Sequence, residues 1–476
     1  MLKWLILIFA IAGQAYSEPL PVCPAGISIL DESYPAKFIV MSDAANQGYL
    51  EDKMSLLTKV IPEVLQDPNM HVLLIAKKNN FAALQKNLSE EQKKRLQRIS
   101  KVPSTNWMQD PWVVQFDSKS GAPILRPLLK YNGNFDSVKL LQALSSAMKP
   151  ELSATISAGL SNSKSSDAMS GQYGGNFLAM GALCLVGSSN LKDQFAPIAK
   201  QVCGSATVMK VPTSFLNVGH ADEVVKALPV VKLSAESSCP MAIMIASPRK
   251  AKKLMQENPD DVLFDFRDNN GEPLRKEDAL VQLEDRRYYR MLCMRMMGKK
   301  RKTPTARWIE DSFPTDEATQ NVDLAPCLSF KNKDFLNFFK EHSDYEKAMD
   351  HVQERMDGFI KDLTAQVKKD RPQCALNVIE VPQYFAGKIR QTIRHGFKPR
   401  IESAQSLFPN PSNGEVFGDK YLLPDPVNTS FRKDLTQSLT AIGLKPVFLD
   451  THFAHRLQGN FHCSEKTIRL CKPAVK

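Results

Sequence analysis

Three short islands carry residues whose types and spacing could do chemistry. NWMQDPW (106–112) sets Asp110 between Trp107 and Pro111 at the mouth of a strand-like run. A carboxylate beside a large aromatic suits a flat cation such as a guanidinium, because ring and charge both attract it. The same residues also suit an Asp-Pro turn with a core tryptophan. LNVGHADEVVKALP (216–229) places His220 and Asp222 two apart. In extended chain that spacing points both side chains to one face, giving one site a proton-transfer group and a carboxylate. The alternative is a His or Asp capping a helix that starts near Glu223.

QGNFHCSEKTIRLCK (458–472) holds Cys463. The sulfur could be a nucleophile, half of a disulfide, or a metal ligand with His452, His455 and His462 in an HxxH…HC array. HxxH suits a helix, whereas FLDTHF reads as strand. On a strand, His462 and Cys463 point to opposite faces, which makes His462 a bystander rather than the base serving Cys463.

The elements that must position these residues are short. Strand candidates are 38–43, 71–78, 112–117, 177–187 (a hairpin about Gly181), 206–213, 240–247, 376–382 and 445–451. Helix candidates are 51–66, 80–98, 136–148, 191–202 and 430–442. The first gathers Met54, Leu57, Val60, Ile61 and Leu65 on one face at spacings of three or four. Alternating strands and helices predict α/β or α+β architecture. The stretch from about 249 to 370 is rich in Lys, Arg, Glu and Met and reads as a helical insertion.

The 476 residues, 43% hydrophobic and 24% charged, supply an ordinary globular core. Residues 1–17 have the form of a secretory signal peptide: Lys3, an apolar run from Trp4 to Ala12, then Ala15-Tyr16-Ser17. Residues 18–476 would be the mature protein, secreted or periplasmic, with no transmembrane segment. The net charge of +11 suits anionic surfaces, but no nucleic-acid motif accompanies the basic runs. Export makes disulfides possible, and the odd count of nine cysteines leaves at least one thiol over within a single chain.

Taken in order, the islands resemble the catalytic domain of peptidylarginine deiminases, within the guanidine-modifying (pentein) superfamily. WMQD, VGHADE and FHCSEKTIR match that family's catalytic motifs. GGNFLAM (174–180), ASPRK (246–250), VPQYF (381–385) and LFPNPSNGEVFGDKYLLPDPVN (407–428) match collinearly between them. The resemblance implies an α/β five-bladed propeller of ββαβ-like units, interrupted by the helical insertion. It implies that Cys463 is the nucleophile, that His220 moves protons, and that Asp110 and Asp222, with Trp107, hold the guanidinium. The implied reaction turns arginine residues of proteins or peptides into citrulline; free arginine, agmatine or another small guanidine is the alternative substrate. An inactive basic envelope-binding protein is the non-enzymatic reading. The family's animal enzymes hold calcium around WMQD and GGN, where this chain has Pro111, Val113 and Leu178. Apolar neighbours make a poor hard-cation site, so neither calcium nor another cofactor is expected. Oligomeric state is not readable from the sequence.

Overall fold

The computed structural model describes residues 20–45, 50–128, 136–149, 151–157, 174–188, 196–232, 239–285, 287–297, 323–390, 399–456 and 459–473. The signal-peptide stretch 1–17 therefore lies outside the described residues.

The fold is α/β, and five of its sheets repeat one plan. In each, a first strand pairs antiparallel with a second. The second pairs in parallel with a third, and one or more helices occupy the crossover between them. In the first unit the strands are Trp112–Asp117, Pro123–Pro127 and Thr155–Ile156, with the helix Ser137–Met148. The second has Phe177–Met180, Leu183–Gly187 and Thr207–Val211, with Ala196–Cys203. The third has Val225–Pro229, Met241–Ser247 and Asn377–Pro382. The fourth has Glu415–Phe417, Lys420–Pro424 and Lys445–Leu449, with Thr429–Ala441. The fifth joins the chain's two ends: Glu465–Arg469 pairs with Ala36–Ser42, which runs parallel to His71–Ile75 behind the helix Leu50–Val64.

Local chemistry explains these elements. The second strands lie inside their sheets and are nearly all apolar; Met241–Ser247 is buried along its whole length. Parallel pairing requires a long crossover, which the helices supply. Asn428 caps Thr429–Ala441 by accepting from the Phe431 N–H, and Phe431, Leu435 and Leu439 form its buried face at spacings of four.

The expected helix over 80–98 does not form as one piece. It divides into Lys78–Gln85 and Glu90–Lys94, because Ser89 and Gln92 make a capping box that starts a new helix. Leu96–Ile99 then joins His71–Ile75 as a parallel strand, so tertiary pairing overrides helical spacing. FLDTHF also divides: the strand ends at Leu449, and His452–Arg456 is a short helix.

Among the described residues, the other units have one crossover helix and the third has several. Among the described residues these are Pro248–Glu257, Lys276–Asp285, Arg287–Met296, Asn332–Lys340 and Ser343–Asp370. Their buried faces share one core with the sheet. The Cys239–Cys374 disulfide ties the chain shortly before the second and third strands of this unit. Cys23–Cys471, Cys184–Cys203 and Cys293–Cys327 are also joined, and Cys463 is the one free cysteine.

Candidate active site

Each of the five units enters its first strand through a tight turn, and those five turns meet. Asp110 lies two residues before Trp112, and the 3-10 turn Gly174–Asn176 leads into Phe177. The 3-10 turn Ala221–Glu223 precedes Val225; Asn413 precedes Glu415; the 3-10 turn His462–Ser464 precedes Glu465. Their contacts run in a ring. The Gly174 N–H donates to the Asp110 carbonyl at 3.3 Å. Gly175 abuts Asp222 and His220 so closely that a Cβ there would lie 2.8 Å from Asp222 Oδ2. The Asn413 side chain reaches the Asp222 carbonyl at 3.4 Å and the Cys463 sulfur at 3.2 Å. The Gln109 N–H donates to the Cys463 carbonyl at 3.2 Å and closes the circuit.

Asp110, His220, Asp222 and Cys463 are thereby brought together, all buried. The Cys463 sulfur lies 3.8 Å from Asp222 Oδ2, and His220 Nδ1 lies 4.0 Å from Asp110 Oδ1. Asp110 Oδ1 and Asp222 Oδ1 are buried without hydrogen-bond partners. Two such carboxylate oxygens are costly unless a cationic donor arrives. Burial, then Asp222, raises the Asp110 carboxyl well above its ordinary range. Burial, then Asp222 and Asp110, raises the Cys463 thiol well above its own. These surroundings favour the protonated sulfur, whereas the charge of a guanidinium would favour the thiolate.

His462 departs from the sequence expectation. Residues 462–464 form a 3-10 turn, and the strand starts only at Glu465. A turn of three residues fans neighbouring side chains instead of opposing them. His462 and Cys463 consequently bear on one carboxylate: His462 Nδ1 lies 2.8 Å from Asp222 Oδ2. On its other side, His462 Nε2 lies 3.3 Å from Gln109 Nε2. Burial, then Lys226, lowers the imidazole below its usual range. The neutral ring thus donates Nδ1–H to Asp222 and accepts from the Gln109 amide. His462 is a site residue that strand periodicity assigned to the wrong face. Asn413 carries no catalytic signal in the sequence, because an Asn-Gly dipeptide reads as an ordinary turn.

Trp107 stands three residues before Asp110, whose N–H donates to the Trp107 carbonyl at 3.3 Å. Its ring packs on Gly459, where a Cβ would come within 2.4 Å of it. The HxxH array does not meet the sulfur. His452 faces Asp52 at 3.2 Å and Asp450 at 3.1 Å, while His455 faces the Leu407 carbonyl at 3.3 Å.

Behind the turns, a cavity of about 80 Å³ is lined from the first strands of all five units, Val113 and Leu178 included. Among the described residues, the one His/Cys/Asp/Glu cluster with metal-binding spacing lies here: Glu32, Glu415 and His462. Its carboxylates already hold cations of the chain. Lys226 Nζ lies 2.5 Å from Glu32 and 2.8 Å from Glu415, and Arg469 lies 2.5 Å from Glu415. Burial pushes Glu415 up, but Lys226 and Arg469 outweigh it and hold the carboxyl well below its usual range. Burial dominates at Glu32, raising it to about 7. With the charge satisfied internally, these donors do not fit an additional hard cation.

Residues 344–474 match the model of the family described as protein-arginine deiminase (PAD). No curated protein matches the chain. Among solved structures, C. jejuni agmatine deiminase aligns at 12% identity and TM-score 0.46, over 96% of this chain and 100% of its own. Agmatine deiminase of Enterococcus faecalis aligns at 10% identity and TM-score 0.45, over 95% and 99%. Among the described residues, no helix is long and apolar enough to cross a membrane.

Proposed function

We propose that this chain, whose residues 344–474 carry the deiminase family match, hydrolyses a guanidine group to a ureido group and ammonia. The observation that carries the reading is the Cys463 sulfur beside two buried carboxylates whose Oδ1 atoms lack donors. A planar guanidinium presents paired N–H groups that fit those oxygens.

Asp110 and Asp222 hold the guanidinium, and its positive charge lowers the barrier to ionising Cys463, whose proton passes to His220. The thiolate attacks the central carbon, forming an S–C bond. His220 gives a proton to one nitrogen, and the C–N bond breaks to release ammonia. Water then loses a proton to His220 and adds to the carbon of the thiouronium. The S–C bond breaks as the hydroxyl proton leaves to the released ammonia and the C=O of the product forms, and His220 returns its proton to the sulfur. Asn413 Nδ2, 3.2 Å from the sulfur, steadies its charge.

The substrate reading placed first is a small guanidine such as free arginine or agmatine. Every catalytic group is at most 7% exposed, so the substrate must present its guanidinium on a slender side chain or small molecule. Protein arginine is the second reading, favoured by the family match. A ureido and ammonia assay with free arginine, agmatine and an arginine-rich protein separates them. Turnover that survives Cys463→Ala, or none on any guanidine, would remove the reading.

Three further parts belong to the proposal. The five units are arranged as a five-bladed propeller, an arrangement supported by the ring of turns and the shared cavity. The activity needs no calcium, since Lys226 and Arg469 occupy the carboxylates behind the site. The protein is exported, a reading supported by its leader-like N-terminus and four disulfides.

A further inference from the structure

The hairpin Phe385–Arg390/Arg400–Ser406 packs against the helix Ser343–Asp370, and its Ala404 is hydrogen-bonded to Phe215 and Asn217. Between them lies a cavity of about 390 Å³, lined in part by Ser214, His351, Arg355, Arg400 and Glu402. Three separate elements deliver these groups. His351 and Arg355 are one helical turn apart, so they share a face. Arg400 and Glu402 alternate onto one side of their strand. Ser214 comes from the turn after Thr207–Val211.

Arg355 is held in place rather than waving in solvent. One of its Nη2 hydrogens goes to Ser214 Oγ at 2.8 Å, and its guanidinium lies 5.7 Å from the Phe215 ring centre. A stacked, hydrogen-bonded guanidinium is pre-organised for a flat or tetrahedral oxyanion. Burial, then the nearby Arg400, lowers Arg355 below its usual range, so two positive groups crowd one pocket. The same two arginines act on His351, whose Nδ1 lies 3.7 Å from Glu354. Among the described residues, the acidic groups at this pocket include Glu354 beside the imidazole and Glu402 in its lining.

We propose that this pocket binds an oxyanion of metabolite size, bearing a phosphate or carboxylate group, through Arg355 and Arg400. Sites for small molecules run from ~300 to 1,000 Å³, so the space suits more than a bare ion. The proposal does not rest on the reaction at Cys463, and its test is binding alone.

The test is calorimetric titration of the whole protein, in low-salt chloride buffer, with inorganic phosphate and with citrate. The two probes distinguish a phosphate source from a carboxylate source. Saturable binding of one probe is expected, weakened about tenfold or more by Arg355→Ala and by Arg400→Ala. Arg249→Ala removes the same charge from an exposed ion pair with Asp357 and Glu380, and should leave binding unchanged. No saturable binding of either probe up to ~10 mM would overturn the proposal. So would equal weakening by Arg249→Ala, which would mark general charge attraction. Should Arg355→Ala fail to fold, the exposed Arg400→Ala decides the matter, with a melting curve as its folding control.

Discussion

His462 Nδ1 lies 2.8 Å from Asp222 Oδ2, the same oxygen that lies 3.8 Å from the Cys463 sulfur. The imidazole thus spends one carboxylate oxygen and leaves Oδ1 for a ligand. Its outer nitrogen meets Gln109 and stands 3.5 Å from Glu415, so the ring links the site to the buried ion network. His462 is a positioning residue in this arrangement. His462→Ala should lower kcat by about 10- to 100-fold while KM changes less, since a misaligned carboxylate costs orientation. His462→Asn, whose amide can still donate, should recover part of that loss. Equal activity in all three proteins would show that Asp222 needs no such partner.

The thiol is held protonated by its surroundings, and this has a measurable sign. In the free protein, alkylation of Cys463 by iodoacetamide should be slow at neutral pH and rise steeply at alkaline pH. Asp222→Asn removes a negative neighbour that opposes the thiolate. It should therefore speed alkylation at neutral pH while abolishing turnover. A slower rate in that variant would contradict the electrostatic account.

Chelator treatment addresses the calcium proposal directly. Activity measured after EDTA, and again after calcium is restored, should be unchanged throughout. Lys226 and Arg469 already satisfy Glu32 and Glu415, and Val113 and Leu178 add no ligand oxygen from their side chains. Loss in EDTA with recovery in calcium would refute it.

Lys226 also bears on stability. Burial opposes its charge, but Glu32 and Glu415 outweigh that and hold the ammonium above its usual range. Lys226→Met would leave two buried carboxylates with Arg469 as their remaining cation, at a cost of ~3–5 kcal/mol. The raised group stabilises the fold below the unfolded lysine's range, and that contribution fades as pH rises through the folded value. The melting-temperature gap between wild type and variant should accordingly be full at pH 7 and shrink in strong alkali. A constant gap would assign the loss to packing instead.

Much of this organisation was legible in the residues. WVVQFD reads as a strand and is one, at Trp112–Asp117, because a buried apolar run fits a sheet and nothing competes. Lys420–Pro424 was not read as a strand, although its last four residues are buried, since it sits among turn-forming residues. The four proposed catalytic residues stood out by type, and the structure brings them together. What periodicity could not supply was the geometry of the turns. A 3-10 turn replaces a strand at His462 and a helix start at Glu223, and each lasts only three residues. Patterns that need several repeats cannot register an element that short. The ring itself depends on contacts between units far apart in the chain, such as Gln109 with Cys463.

Gly175 tests that ring at its tightest point. An added Cβ would stand 2.8 Å from Asp222 Oδ2 and 3.0 Å from His220 Nδ1. Neither atom can retreat cheaply: Asp222 is fully buried with its Oδ2 on His462, and His220 is 2% exposed. Gly175→Ala should therefore push the two catalytic groups out of register and reduce kcat/KM by about 100-fold. The stability cost of one methyl in a tight spot is smaller, ~1–3 kcal/mol, so the variant should still fold. Gly358→Ala provides the contrast, because its Cβ meets nothing within 4 Å. Within the helix Ser343–Asp370 it should raise stability by ~0.5–1 kcal/mol and leave turnover unchanged. Full activity in a folded Gly175→Ala protein would mean that Asp222 and His220 do not have to hold their observed places for catalysis.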